Sequence, residues 1–304
     1  MPGDGSAGDS APPWWGSAVA GPASGLASRL ATYPSDTIKA RMQIQGTGLT
    51  TGRYSGLVSA VSTILRADGP AGLYRGFLPV MGGVLPANAA YFSGYELGKV
   101  AVAWADPNSM LPTALRDGVA GVVAQGLSGA VWTPVDLIKE RIQVAGFLRA
   151  DGAAASASPA DVVRAALREK GFLGLFRGYW INNSVWFPWG LIYAGSYERC
   201  KRSLADALDR TGPEDLPPWA FAFSAAAASA VGAVATHPLD VIKTRIQVLP
   251  DAGGSRWRAW GVARRLVQQE GVLGVFDGAV ARLWVMAPGS AVGWMVYEMV
   301  MRRL

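Results

Sequence analysis

The chain has 304 residues, 50% of them hydrophobic and only 16% charged, with a mean hydropathy of +0.20. Soluble domains carry about 25% charged residues, so the composition argues for a lipid environment and against an ordinary water-soluble enzyme. A single cysteine, Cys200, and a single histidine, His237, exclude an internal disulfide and any Cys- or His-cluster metal site.

Residues 1–13 are small and slightly acidic. They have the features of neither a signal peptide nor an Arg-rich transit peptide and are expected to form a disordered tail. Three thirds of one plan follow, at 14–104, 105–207 and 208–304. In the first, apolar spans of about 16–44 and 77–100 flank a short amphipathic stretch at 55–66. In the second, the spans are about 113–144 and 179–203, with 159–169 between them; in the third, about 217–248 and 279–302, with 257–269 between them. Six membrane helices result, with both chain ends on one side. The spans contain scattered small polar residues, as expected of helices with one face on lipid and another on a wet interior.

Each first span closes on the same sequence. Pro34-Ser-Asp36-Thr-Ile-Lys39-Ala-Arg41-Met-Gln43 recurs as Pro134-Val-Asp136-Leu-Ile-Lys139-Glu-Arg141-Ile-Gln143 and as Pro238-Leu-Asp240-Val-Ile-Lys243-Thr-Arg245-Ile-Gln247. The connectors repeat as well. Asp68-Gly69 leads to Tyr74-Arg75-Gly76, Lys170-Gly171 to Phe176-Arg177-Gly178, and Glu270-Gly271 to Phe276-Asp277-Gly278. The net charge of +6 sits largely in these connectors, at residues such as Arg66, Arg164, Arg168, Lys170, Arg264 and Arg265, with Arg53, Arg149, Arg256 and Arg258 expected to join them. Basic residues gathered on one side of a membrane follow the positive-inside rule, and nucleic-acid binding is set aside.

A proline, an acid, a base and an arginine three times in register, each followed by a turn of an aromatic, a charged residue and a glycine, resemble the mitochondrial carrier family over nearly the whole chain. The resemblance implies an all-α membrane protein of six transmembrane helices in three pseudo-threefold repeats, each with a short matrix-side amphipathic helix. It implies transport of a small-molecule substrate across the mitochondrial inner membrane by a monomer without a cofactor, with cardiolipin of the lipid bilayer at the matrix-side helix ends. Two residues depart from the pattern. Lys170 stands where the family prefers an acid and Asp277 where it prefers a base, which leaves the local pairing of repeats two and three open.

Proline inside a helix removes a hydrogen bond and kinks it, so Pro34, Pro134 and Pro238 would draw three helix ends together. The resemblance implies a matrix gate of pairs Asp36–Lys139, Asp136–Lys243 and Asp240–Lys39, with Gln43, Gln143 and Gln247 bonding across them. It also implies a cytoplasmic gate from Tyr95-Glu96-Leu-Gly-Lys99 and Tyr197-Glu198-Arg-Cys-Lys201. The third copy, Tyr297-Glu298, has Met301 in place of its cation. Cyclic pairing then gives Glu96–Lys201 and Glu298–Lys99 and leaves Glu198 alone. The expectation is a weak cytoplasmic gate and a resting state open to the cytosol.

Substrate contacts are implied midway between the gates. On the even helices they fall at Gly83, at Val185 with Trp186, and at Val285 with Met286; on the odd helices, at Arg29, Gly129 and Ala233. Gln125 and Ser229 lie one turn further out, and Asn88, Asn182, Asn183 and Arg282 are further polar candidates. An intramembrane arginine is a functional residue by default, and the family carries anion contacts at the position of Arg29. The alternative is that Arg29 snorkels or bonds a carbonyl. The picture is a small organic metabolite with one anionic group. A transport-inactive scaffold, a metal-ion carrier and a proton leak stay open, whereas no nucleophile-base set or phosphate loop supports an enzyme.

Overall fold

The structure is a computed structural model that describes residues 14–45, 54–107, 110–145, 147, 158–248 and 258–301. The expected tail at 1–13 lies outside them, as do Arg53, Arg149 and Arg256. The side chains of Arg258, Tyr297, Glu298 and Met301 are likewise outside the description.

Six long helices carry the fold: α1 (Trp14–Gln43), α3 (Phe77–Ala105), α4 (Thr113–Ala145), α6 (Tyr179–Ala207), α7 (Pro218–Val248) and α9 (Ala279–Met301). Three short ones lie between them: α2 (Leu57–Asp68), α5 (Pro159–Lys170) and α8 (Arg258–Glu270). By length and composition alone, two described stretches, Pro218–Val248 and Val272–Gly293, are apolar enough to cross a membrane. The other long helices do not meet that measure.

The long helices run unbroken through Pro34, Pro134 and Pro238. Beside each proline a threonine hydroxyl donates to the carbonyl one turn back: Thr32 to Ser28, Thr133 to Gly129 and Thr236 to Gly232. Such back-bonding bends helices, so hydroxyl and proline act on the same turn.

Small residues set how closely the helices approach. A Cβ on Gly94 would come within 2.8 Å of the Ala124 Cα, and one on Gly98 within 2.6 Å of the Ala120 Cα, so α3 and α4 touch backbone to backbone. In the same way α9 lies on α1, where a Cβ on Gly289 would meet Ser28 and Thr32, and α6 lies on α7, where Gly232 receives Trp189. Each repeat is therefore closed by the next, and the three odd helices meet one another at their motif ends.

Each short helix ends on a left-handed glycine and leads through a 3-10 turn to a second one that starts the next long helix: Gly76, Gly178 and Gly278, with φ of 80°, 87° and 83°. A side chain at Gly278 would be strained in this conformation and would also press on the Lys39 carbonyl at 3.3 Å. The turn therefore needs glycine for shape and for proximity to the motif. On α5, Ser158 and Asp161 form a capping box. The Ser158 hydroxyl donates to the Asp161 carboxylate and holds its carboxyl below the ordinary range.

Candidate functional site

The motif residues sit on roughly the last three turns of α1, α4 and α7, where aspartate and lysine three apart project from one helix face. Each lysine reaches an aspartate of another repeat. Lys39 Nζ lies 2.7 Å from Asp240 Oδ2, Lys243 Nζ lies 2.8 Å from Asp136 Oδ2, and Lys139 pairs with Asp36. All six side chains are buried or nearly so. Buried charges are tolerated when paired, and removing one partner strands the other.

The pairs are not equivalent. Asp240 also accepts a hydrogen bond from Gln43 Nε2 at 2.8 Å and faces Arg282 Nη1 at 3.7 Å. Only Gln43 braces a pair in the way the sequence implies. Gln143 donates to the Thr37 hydroxyl at 3.2 Å instead, and the Gln247 amide has no hydrogen-bond partner among the described residues. The difference is steric and local: Thr244 donates to Gln43 Oε1 at 2.7 Å and aims its amide at Asp240, whereas Gln247 lies against Gly178, with no such donor beside it.

The sequence named the motif arginines but gave them no task. Each donates to a glutamine carbonyl at a neighbouring helix end: Arg41 to Gln143 at 2.9 Å, Arg141 to Gln247 at 3.1 Å, and Arg245 to Gln43 at 2.9 Å. These carbonyls are acceptors left free near a helix terminus. Each arginine also pairs with an acid at the end of its own short helix: Arg41 with Asp68, Arg141 with Glu169 and Arg245 with Glu270. The lysine pairs and the arginine bonds thus run in opposite senses around the ring.

Both departures from the motif are accommodated. The acid missing at Lys170 is supplied one residue earlier, by Glu169, which takes both Arg141 and Arg177. Asp277 accepts from Gln45 Nε2 at 3.2 Å. An acid displaced by one residue remains near the end of the same short helix, a signal the sequence contained.

One further charge occupies this end. Glu140 is 2% exposed, follows Lys139 in α4 and makes no ion pair or hydrogen bond among the described residues. Alanine and threonine, Ala40 and Thr244, stand at the matching positions of the other copies. Lys139, Lys39, Lys243 and Asp36 are the charged groups acting on it.

At the other end of the bundle the described lysines of the repeated Tyr-Glu segments stay on their own helices. Lys99 bonds Glu96 at 3.0 Å and stacks on Tyr95, and Lys201 bonds Glu198 at 2.8 Å and stacks on Tyr197. The cross-repeat pair Glu96–Lys201 is not formed, and Glu198, expected to be alone, has Lys201. Three residues of one helix are closer than two separated helices.

Between the two ends the implied contact positions divide. Gly83, Gly129, Val185 and Ala233 are buried. Helix packing has taken them: a Cβ on Gly83 would meet Val135 at 2.8 Å, and one on Gly129 would meet Asn183 at 2.7 Å. Ser229 is spent on Ser290 at 2.6 Å, Asn182 and Asn183 are buried, and Arg282 donates to Thr236 at 2.8 Å. Arg29, Gln125, Trp186, Val285 and Met286 remain partly accessible, and Asn88 is exposed. His237 is sealed, with Nε2 3.1 Å from the Asp277 carbonyl and its ring stacked on Phe276. Among the described residues no group of three or more His, Cys, Asp or Glu is gathered for a metal ion.

The sequence pattern of the family described as "Mitochondrial carrier protein" matches residues 10–103, 112–208 and 214–304. The chain belongs to the mitochondrial carrier family. This carrier is 32% identical over 290 residues to mitochondrial substrate carrier family protein E of Dictyostelium discoideum, covering 92% of this chain and 93% of the relative. It is 32% identical over 301 residues to solute carrier family 25 member 44 of Mus musculus, covering 92% and 88%. A protein named mitoferrin from Dictyostelium discoideum is 28% identical over 293 residues, covering 92% and 91%. Members of this family are transporters, so membership implies solute transport across a membrane.

Proposed function

We propose that this carrier moves a small organic metabolite with one anionic group across the mitochondrial inner membrane by alternating access, as an exchanger or uniporter. The six long helices would span the bilayer and the three short ones would lie on its matrix side. A monomer would suffice, with cardiolipin at the matrix-side helix ends. One observation carries the reading: lysine–aspartate pairs join all three repeats at the motif end, while Glu96–Lys99 and Glu198–Lys201 at the far end bond within their own helices.

The motif ring is then the matrix gate, closed in this conformation. Tyr95, Glu96, Lys99, Tyr197, Glu198, Lys201, Tyr297 and Glu298 would form the cytoplasmic gate, and no ion pair joins Glu96 to Lys201 across it. Substrate contacts at Arg29, Gln125, Trp186, Val285 and Met286 would exchange for gate pairs as the carrier turns over. Reconstitution into liposomes with a panel of labelled solutes tests transport. Asp36→Lys should abolish uptake, and adding Lys139→Asp should restore part of it. Failure of the double swap in a folded protein would count against the gate.

The relative named mitoferrin favours metal-ion cargo as a second reading. It predicts that uptake responds to His237→Ala, whereas an organic anion predicts a response to Arg29→Ala.

A further inference from the structure

Arg29 extends from α1 toward α4, and its Cζ lies 4.8 Å from the centroid of the Trp132 ring. A guanidinium on an indole face is held by cation–π attraction while its N–H edge stays free. That edge is free here. Arg29 makes no hydrogen bond or ion pair with any described residue, yet it remains partly accessible. The Trp132 indole N–H and the Gln125 amide also bond no described residue. Gln125, Trp132 and Asp136 are seven and four residues apart on α4, so they share one face.

The seam between α1 and α4 therefore climbs from the Asp36–Lys139 pair, through Arg29 on Trp132, to Gln125. From that pair up to Gln125 it offers several donors and no unpaired acid, which suits an acceptor-rich ligand. The other two seams lack the arrangement. Thr32 and Thr236 stand where Trp132 does, and both hydroxyls are bound to their own helices. Gly129 and Ala233 stand where Arg29 does, and both are buried.

We propose that Trp132 is a positioning residue: its indole holds the Arg29 guanidinium edge-on to the seam, making a two-pronged site for one carboxylate. This rests on reading Arg29 as the anion contact and adds a residue and a ligand geometry to it. A flexible arginine loses entropy on binding, and one already laid on an indole loses less. One fork matches one carboxylate in two parallel bonds, which lysine cannot reproduce. The site thus selects monocarboxylates over amides, amines and dianions.

The test is thermal denaturation of the purified full-length carrier with hexanoate, hexanamide, hexylamine or hexyl phosphate. Ligand-free midpoints serve as the folding control. Hexanoate alone should raise the wild-type midpoint substantially. Arg29→Gln and Arg29→Lys should both abolish that rise. Trp132→Leu should weaken the apparent hexanoate affinity by roughly tenfold, the loss expected from one partly desolvated cation–π contact, and Trp132→Phe should keep most of it.

Wild-type affinity in Trp132→Leu alongside lost binding in Arg29→Gln overturns the positioning role and leaves Arg29 as the contact. Full binding by Arg29→Lys overturns the two-pronged geometry. A wild type that hexanoate does not stabilise, or that hexanamide or hexyl phosphate stabilises as well, overturns the monocarboxylate site. The alternating-access reading stands or falls separately, on the Asp36/Lys139 swap.

Discussion

The two ends of the helix bundle both carry acid–lysine motif residues and use them differently. At the motif end, each lysine reaches an aspartate of another repeat and each arginine reaches a carbonyl at a neighbouring helix end. At the far end, the described lysines bond glutamates three residues away on their own helices, with Glu198 about half exposed. Cross-repeat bonds between buried partners tie separate helices together, whereas in-helix pairs in water tie nothing to anything else. The same residue types thus form a latch at one end and a solvated rim at the other.

The largest effect should come from breaking the most heavily bonded pair. Asp240→Ala strands Lys39 and Arg282 and removes the acceptor of Gln43, so it should cost about 3–5 kcal/mol. Asp136→Ala, which strands Lys243 alone, should cost less. Thermal midpoints of the two purified variants rank them; equal losses would mean that Gln43 and Arg282 add nothing.

The arginine tier gives the next contrast. Arg245 and Glu270 are 4% and 2% exposed, whereas Glu169, the partner of Arg141, is 41% exposed. Arg245→Ala should cost about 3 kcal/mol, and Arg141→Ala about 1 kcal/mol after solvent screening. Denaturation in matched lipid would measure both, and a larger loss from Arg141→Ala would refute the ranking.

Among the glutamines, Gln43→Ala should cost about 1 kcal/mol through its bonds to Asp240 and Thr244. Gln247→Ala, which breaks no side-chain hydrogen bond among the described residues, should leave the midpoint nearly unchanged. At the far end, Lys201→Ala should move it by no more than about 2 °C, the scale of a surface pair.

The smallest expected effect is local and pH-dependent. Asp106, at the end of α3, accepts the Leu111 and Met110 backbone N–H groups at 3.0 and 2.9 Å and lies 3.6 Å from Arg116. Those N–H groups hold its carboxyl below the ordinary range. The tether is therefore present at neutral pH and lost as pH falls through that lowered value. Amide hydrogen exchange at Leu111 and Met110 should show reduced protection at acid pH, and Asp106→Asn should reduce it already at neutral pH.

Sequence alone determined the repeat, the count of long helices and their bounds to within a few residues. The partners of the three lysines came from the family resemblance, because a ring of three can close in either sense. Sequence also marked Arg29, because a cation in an apolar span is costly wherever it sits. Tertiary structure decided what depends on which neighbour arrives first. Thr244 turns Gln43 toward Asp240, and no equivalent donor turns Gln247. Val135 and Asn183 lie against the glycines at 83 and 129, so packing buries those two positions. Trp132 carried no motif and was invisible in the sequence; it matters only because α1 brings Arg29 across to it. Spacing along a helix fixes which residues share a face, but only the packed helices fix what that face meets.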